Sequence, residues 1–503
     1  MHLPQLLRLG CAAVVMVISP VFSRGQEAPL SLTVHWDNVT MTSKTTPTLQ
    51  VVVNPPLRRG NPVHDGAFQA LHDLGADYVR YVPWLPYPRL GVAELEPPTD
   101  GKTSWDFSLI DPITIDFLEA TKGHSVVVNF STIPQWMYKT DKPIAYPDDP
   151  DKAVWDYEQG TELRDPSFNE VAGYYARLLS WYTKGGFTDE VGKRHESRYH
   201  YSIPYWEILN EVDFEHRMTP QVYTGLYDAV AAAMKKVQPD IKFVGVSLAI
   251  PGQHPEFFEY FLNHKNHKSG IPLDALSYHF YAVPAPDEPF EIQQHTVFAQ
   301  ADGFLNTVRS IESIRKRLSP ETITTINEIG IISADDLVQG EPGHVTKPIP
   351  DAYWNLAGAE YAYIFGNLTQ LGIDVAGESQ LVGYPTQFPS VSMVEWEHGT
   401  PNARLWVLHL LHDNFGPGDK IIEINTPPHP YVYSLAVVTN AGKRKLLLVN
   451  KRNRDFEASV PGASGGLAES VDVTTGFRPA SRTRMSSDRL TVHGFSVTVI
   501  TLP

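Results

Sequence analysis

The sequence predicts a (β/α)8 barrel with an additional C-terminal β-sandwich. From residue 50 to about 417, short apolar runs rich in β-branched residues alternate with amphipathic stretches at helical spacing. That alternation belongs to a parallel sheet covered by helices. The units number eight, over a length that suits a barrel with generous loops. From 418 to 503 the runs become short and alternating, divided by Gly, Pro, Ser and Asn clusters, as in an antiparallel sandwich. A doubly wound open sheet is the rival, but it calls for a glycine-rich phosphate loop after an early strand, and neither G-x-G-x-x-G nor a P-loop occurs.

Taken in order, residues 1–25 pair Arg8 with an apolar run from Leu9 to Phe22 and end on small residues. This is the layout of a secretory signal, too short to span a bilayer as a mature helix. Cys11 stands at the start of that run rather than after it, so no lipid anchor is expected, and the protein is expected to be secreted or periplasmic. Residues 26–49 are expected to join the sandwich or cap the barrel floor. The barrel strands are expected at 50–54, 77–83, 125–131, 205–211, 242–248, 275–281, 322–329 and 373–379, each short, apolar and uninterrupted. Helical patterns run over 64–74, 110–121, 167–183, 220–237, 304–318, 353–371 and 402–412. The fourth has Thr219 as N-cap and Pro220 at the first helical position.

Composition narrows the function. With 42% hydrophobic residues in 503 the chain can bury a large core. A net charge of −16 and the lack of any basic run argue against a nucleic-acid partner. The single cysteine, Cys11, lies in the segment expected to be removed. This excludes thiol chemistry and cysteine–metal sites from the mature protein. No other metal or nucleotide motif is present, and no cofactor is expected. The stock of 10 Trp, 23 Tyr and 22 Phe suits either a large core or a carbohydrate-type ligand.

Residues at the C-terminal ends of barrel strands face the active site. Two glutamates fall there, each after an asparagine: Asn210–Glu211 ending the fourth expected strand, and Asn327–Glu328 on the seventh. Two carboxylates facing one cavity are what glycoside cleavage needs, one to protonate the leaving oxygen and one to attack the anomeric carbon. Asn-Glu on strand 4 with a second Glu on strand 7 resembles the pattern of clan A glycoside hydrolases. The stretch YWEILNEVDFEHRMTPQVYTGLYDAV, with LSYHFYA on strand 6, is most similar to family 39, the family of β-xylosidases and α-L-iduronidases. One departure is Val212, where many members carry a proline after the Asn-Glu pair.

The resemblance implies a retaining O-glycosidase acting on an oligo- or polysaccharide, on a β-xyloside or a related glycan. It makes Glu211 the acid/base and Glu328 the nucleophile. Asn210 would bond the sugar 2-hydroxyl, Tyr281 would orient Glu328, His279 would hold sugar or supporting contacts, and Arg80 would keep Glu328 ionised. Alternatives stand beside these. Arg80 could instead pair with Glu207, and His279 and Tyr281 could be core groups. Glu378, near the end of strand 8, is a rival carboxylate, whereas Glu207 lies about 13 Å below Glu211 along the strand. Trp84, Trp136 and Trp396, all in loops after strands, are candidate sugar platforms. Asp213, Glu215 and His216 match no metal-ligand spacing and are read as an entrance loop. Other specificities of the clan (arabinosidase, uronidase, endo-glucanase) and a non-catalytic polysaccharide-binding barrel remain as alternatives. For a retaining enzyme the carboxyl groups should stand about 5–5.5 Å apart.

Overall fold

A computed structural model describes residues 30–142, 145–155, 161–341, 343–425 and 429–503. The expected secretory segment and Cys11 lie outside them. The centre of the molecule is a closed parallel barrel of eight strands. In chain order these barrel strands are Thr46–Val52, Val79–Val82, Val126–Val128, Tyr205–Glu207, Lys242–Leu248, Ala275–Ala282, Ile323–Ile331 and Val375–Glu378, the last closing on the first. They are referred to below as barrel strands 1 to 8.

Strand alternation sorts the side chains. On strand 3, Val126 and Val128 join the main core between sheet and helices, while Val127 turns inward. On strand 4, Trp206 lies outside, stacked on Phe130 with ring centroids 5.8 Å apart, and Tyr205 lies inside. Val127, Tyr205, Val244 and Ala275 form an apolar plug at the floor, in the layered manner of barrel interiors. Above it the inward positions become polar, with Gln50, Arg80, Asn129, Glu207 and Ser277 all buried. The site is built on that layer.

The helix His64–Leu74 has the expected bounds, and the helix Pro220–Val237 begins as expected, with the Thr219 side chain accepting from the Val222 N–H at 3.3 Å. Several elements differ from expectation, among them strands 3 and 4, which end at Val128 and Glu207 rather than at 131 and 211. Barrel strand 1 starts at Thr46, because Thr46, Pro47 and Thr48 hide its first turn from an apolar count. The helix before strand 7 runs from Phe290 to Leu318 rather than from 304, since its first turns bury little beyond Val297, Phe298 and Ala301. A short helix, Pro255–Phe261, was not foreseen in its mostly aromatic run. No helix among the described residues is long and apolar enough to cross a membrane.

After the barrel the chain forms a seven-stranded antiparallel sheet, in the order Ser481–Arg484, Leu467–Val471, Val497–Thr501, Arg444–Asn450, Val432–Val438, Lys420–Asn425 and Thr33–Thr42. The N-terminal strand Thr33–Thr42 thus pairs with the first strand after the barrel. A three-stranded sheet, Leu30–Ser31, Phe456–Ser459 and Arg489–Val492, covers one face. Period-two alternation gives the central strand two interfaces. Leu446 and Leu448 enter the sandwich core, and Leu447 and Val449 enter the barrel core.

The sheet docks on the helix Asp351–Leu371. Tyr433 stands edge-on to Tyr363, centroids 5.3 Å apart, and closes on Gly366, where an added Cβ would meet its ring at 2.5 Å. Gly366→Ala gains helix propensity of about 1 kcal/mol but forces the Tyr433 ring off the helix, at about 1–3 kcal/mol. We expect a net loss of about 1 kcal/mol, read as a lower denaturation midpoint at unchanged slope.

Candidate active site

The cavity opens at the C-terminal end of the barrel, with a volume of about 760 Å³, and both Glu211 and Glu328 line it. Regular pairing on strand 4 stops at Glu207, and the chain continues with Leu209 at φ 61° and Glu211 at φ 44°. Left-handed backbone at non-glycine residues costs roughly 1–3 kcal/mol each and persists only where surrounding contacts enforce it. Here it turns Asn210 and Glu211 over the barrel mouth.

Strand 7 reaches the same point by a bulge. Tyr278 pairs with Ile326 while His279 pairs with Glu328, and on the other side Ile326 and Ile329 pair with Ala376 and Glu378. One extra residue therefore sits in strand 7 relative to both neighbours, and Asn327 and Glu328 both contact inward-facing groups, instead of alternating in and out. Ile326 and Ile329, three apart, both pack on the outer core. A second bulge leaves Ser247 opposite no residue of strand 6, with Val246 at φ 79° and Ser247 at φ 49°.

Arg80 organises what these turns bring together. Its Nε donates to Glu207 at 2.5 Å, Nη1 to Gln50 at 2.7 Å and to Glu328 Oε1 at 2.5 Å, and Nη2 to Asn210 Oδ1 at 2.7 Å. Both readings of Arg80 therefore hold, since it joins the buried Glu207 to Glu328. Glu207 also accepts from Asn129, Ser277 and Asn327, so it is a structural acceptor beneath the site. Glu328 Oε2 accepts from the Tyr281 hydroxyl at 2.6 Å, and that hydroxyl also meets Ser379. Glu211 Oε1 lies 2.9 Å from His279 Nδ1, whose other nitrogen faces Ser247 at 3.2 Å.

A carboxylate oxygen of Glu211, a ring nitrogen of His279 and a carboxylate oxygen of Glu328 all lie within 4.8 Å of one another. Three such groups could in principle hold a cation. Here, however, Glu328 Oε1 accepts from Arg80 and Oε2 from Tyr281, and Glu211 Oε1 faces His279 Nδ1, so hydrogen bonds already engage these groups. The two carboxyls differ in their proton affinity. Burial pushes Glu328 up, but the His279 and Arg80 charges and the bonds from Tyr281 and Arg80 outweigh it, leaving Glu328 below the usual range. Burial also pushes Glu211 up, against its bond from His279, and the neighbouring Glu328 charge adds to the rise. The environment thus favours the ionised form of Glu328 and shifts Glu211 towards its protonated form.

Of the residues expected from sequence, Asn210, Glu211, His279, Tyr281 and Glu328 meet at the cavity, with Arg80 immediately beneath. Trp84 lines it too. Trp136 and Trp396 are not among its lining residues. The Trp136 indole donates to the Glu94 carbonyl at 2.9 Å and lies under the Arg164 guanidinium at 4.4 Å, and Trp396 packs on the main core. Glu378 is no rival, because it is fully buried and bonded to Arg404 at 2.8 Å, away from the cavity. Asp213 accepts from the Ala249 and Ile250 N–H groups, tying the loops after strands 4 and 5.

Sequence reasoning assigned no direct contact to Glu215. Its Oε1 accepts from Asn210 at 2.8 Å and from Trp84 at 2.6 Å, and burial, with the Glu211 charge, raises its pKa strongly. Trp155 and Phe388 were also missed. With Trp84 they form a cluster at the cavity, centroids about 6 Å apart. A solvent-facing aromatic in a long loop carries no periodic signal that could have marked them.

The model of the Glycosyl hydrolases family 39 matches residues 180–328, a span that holds both glutamates. Over 209 residues the chain is 27% identical to a beta-xylosidase of Caldicellulosiruptor saccharolyticus, covering 42% of this chain and 37% of that protein. The match thus spans little more than a third of the relative's length. Among solved structures, the GH51 arabinofuranosidase from Xanthomonas axonopodis pv. citri superposes with a TM-score of 0.63 at 13% identity, over 94% of this chain and 100% of that one. A GH30 endoxylanase from Clostridium papyrosolvens C71 gives 0.56 at 13% identity, with coverage of 94% and 100%. At such identities these two establish the fold alone.

Proposed function

We infer that the chain is a clan A glycoside hydrolase most like family 39, a reading that the family-model match and the beta-xylosidase likeness support. We propose that it is a retaining glycosidase for neutral sugars, with β-xylosides the first substrates to try. The observation that carries this reading is the unequal carboxyl pair, with oxygens within 4.8 Å. Oxygens that close support retention, since an inverting enzyme spaces its carboxyl groups more widely to admit a water. In this mechanism Glu328, ionised beside Arg80, attacks the anomeric carbon while Glu211 gives its proton to the departing oxygen. The glycosyl ester that forms removes the Glu328 charge. The Glu211 pKa then falls, and the same group takes a proton from the incoming water. Asn210, with one N–H engaged by Glu215, retains a second for the sugar hydroxyl.

The lining also favours a neutral sugar over a uronate. Glu211, Glu215 and Glu328 all face the cavity, and no Lys or Arg is among its described lining residues. On the sequence of residues 1–25 we assign the enzyme to the secretory route. A panel of nitrophenyl glycosides with early proton NMR tests the reading. β-Xyloside cleavage releasing β-xylose first is expected. An α first product, or no turnover of any glycoside, would show the reading to be wrong.

A further inference from the structure

Resting on the glycosidase reading, we propose that the natural substrate is a single neutral sugar linked to an apolar alcohol, rather than an oligosaccharide. The cavity has two chemically distinct parts. Its polar side chains, Asn210, Glu211, Glu215, His279, Tyr281 and Glu328 foremost, gather at the barrel strand ends, where they suffice for one sugar ring. Gln50 and Gln380 complete that floor, and Gln50 is already engaged by Arg80 and Ser379. Of the remaining described lining residues, Thr307 alone offers a polar side chain besides the indole nitrogens of Trp84 and Trp155. The Trp84 nitrogen is bonded to Glu215, and the Trp155 nitrogen is buried.

Apart from Thr307, the described residues of the wall are aromatic and aliphatic. Trp84, Trp155 and Phe388 cluster on one side, and Phe280 stacks on Phe304 at 4.5 Å on another. At the rim, Phe214, Leu337 and Ile250 are 62%, 60% and 38% exposed, and all three line the cavity. Large apolar side chains held in water beside a catalytic pair mark a site that buries apolar surface when filled. A second sugar seated there would find few side-chain partners for the hydroxyls it turns to the wall and would lose part of their hydration, which opposes binding. An apolar aglycone instead gains up to roughly fourfold in affinity for each methylene buried. The wall is continuous with Glu211, the group that protonates the leaving oxygen, so the aglycone is the part of the substrate that meets it.

The experiment compares ethyl and hexyl β-D-xylosides, whose leaving alcohols have nearly equal acidity, and xylotriose. We expect kcat/KM for the hexyl glycoside to exceed that for the ethyl glycoside by about 30-fold, and to exceed that for xylotriose. A ratio under fivefold, or faster xylotriose cleavage, overturns the proposal. Phe214→Ser and Leu337→Asn, at exposed positions that fold readily, should each cut the hexyl-to-ethyl ratio at least threefold, and an unchanged ratio in both overturns it. Calorimetry with hexyl and ethyl 1-thio-β-D-xylosides separates this proposal from the glycosidase reading. If nothing is hydrolysed but the hexyl thioglycoside binds at least fivefold more tightly, the apolar-aglycone site stands and the reaction does not. Equal binding of the two overturns the site.

Discussion

Glu328→Gly should lose roughly 10⁵-fold in kcat on an aryl xyloside, about 7 kcal/mol of transition-state stabilisation. No neighbouring group can replace it. Glu207 is tied to Arg80, Asn129, Ser277 and Asn327 beneath the site, and Glu378 is bonded to Arg404. Glu215 belongs to Asn210 and Trp84 and is held strongly towards its neutral form. Removing the side chain also opens space next to Arg80, whose Nη1 loses its anion. A small anion should enter there. Azide at high concentration is expected to restore turnover of an activated substrate, giving an α-glycosyl azide from a β-glycoside. A variant within tenfold of wild type would move the nucleophile elsewhere.

The same residues explain how far the sequence could be read. Both Asn-Glu pairs are legible because barrel chemistry concentrates at strand ends, and Arg80 is legible as a cation among apolar neighbours on a buried strand. Yet strict alternation from Thr325 and Asn327, buried and inward, would turn Glu328 outward towards the helices. Only the extra residue in strand 7, visible in the pairing of Ile326 and Ile329 with Ala376 and Glu378, turns it back into the barrel. A bulge is a property of the pairing between strands and leaves no periodicity in either strand alone.

The aromatics fail for a related reason. Trp136 and Trp155 both sit in long loops on the same end of the barrel, and local sequence does not distinguish them. What separates them is the partner each loop finds. Arg164 covers the Trp136 ring, whereas Trp155 meets Trp84 and Phe388 at the cavity. Glu378 shows the converse. It has the position of a catalytic acid, but Arg404, on the helix that follows, claims it.

Glu211→Gln should lose roughly 10²–10⁴-fold on an alkyl xyloside, the range of a general acid, and far less on a dinitrophenyl xyloside whose leaving group needs no proton. The difference follows from geometry, since Glu211 is held by His279 at 2.9 Å rather than by a guanidinium. Its burial and the Glu328 charge raise its proton affinity above that of an ordinary carboxyl. The wild-type profile of kcat/KM should accordingly be bell-shaped. Activity is lost on the acid side as pH falls through the lowered pKa of Glu328, and on the alkaline side as pH rises through the raised pKa of Glu211. In Glu211→Gln the alkaline limb should disappear for the activated substrate while the acid limb remains, because glutamine cannot ionise and Glu328 keeps Arg80. Burial opposes a charge on His279, but the Glu328 and Glu211 carboxylates outweigh it and raise its pKa, so it stays a cation longer than a free imidazole and adds to the hold on Glu328. A full bell retained in Glu211→Gln would assign the alkaline limb to His279 and remove Glu211 from the acid/base role.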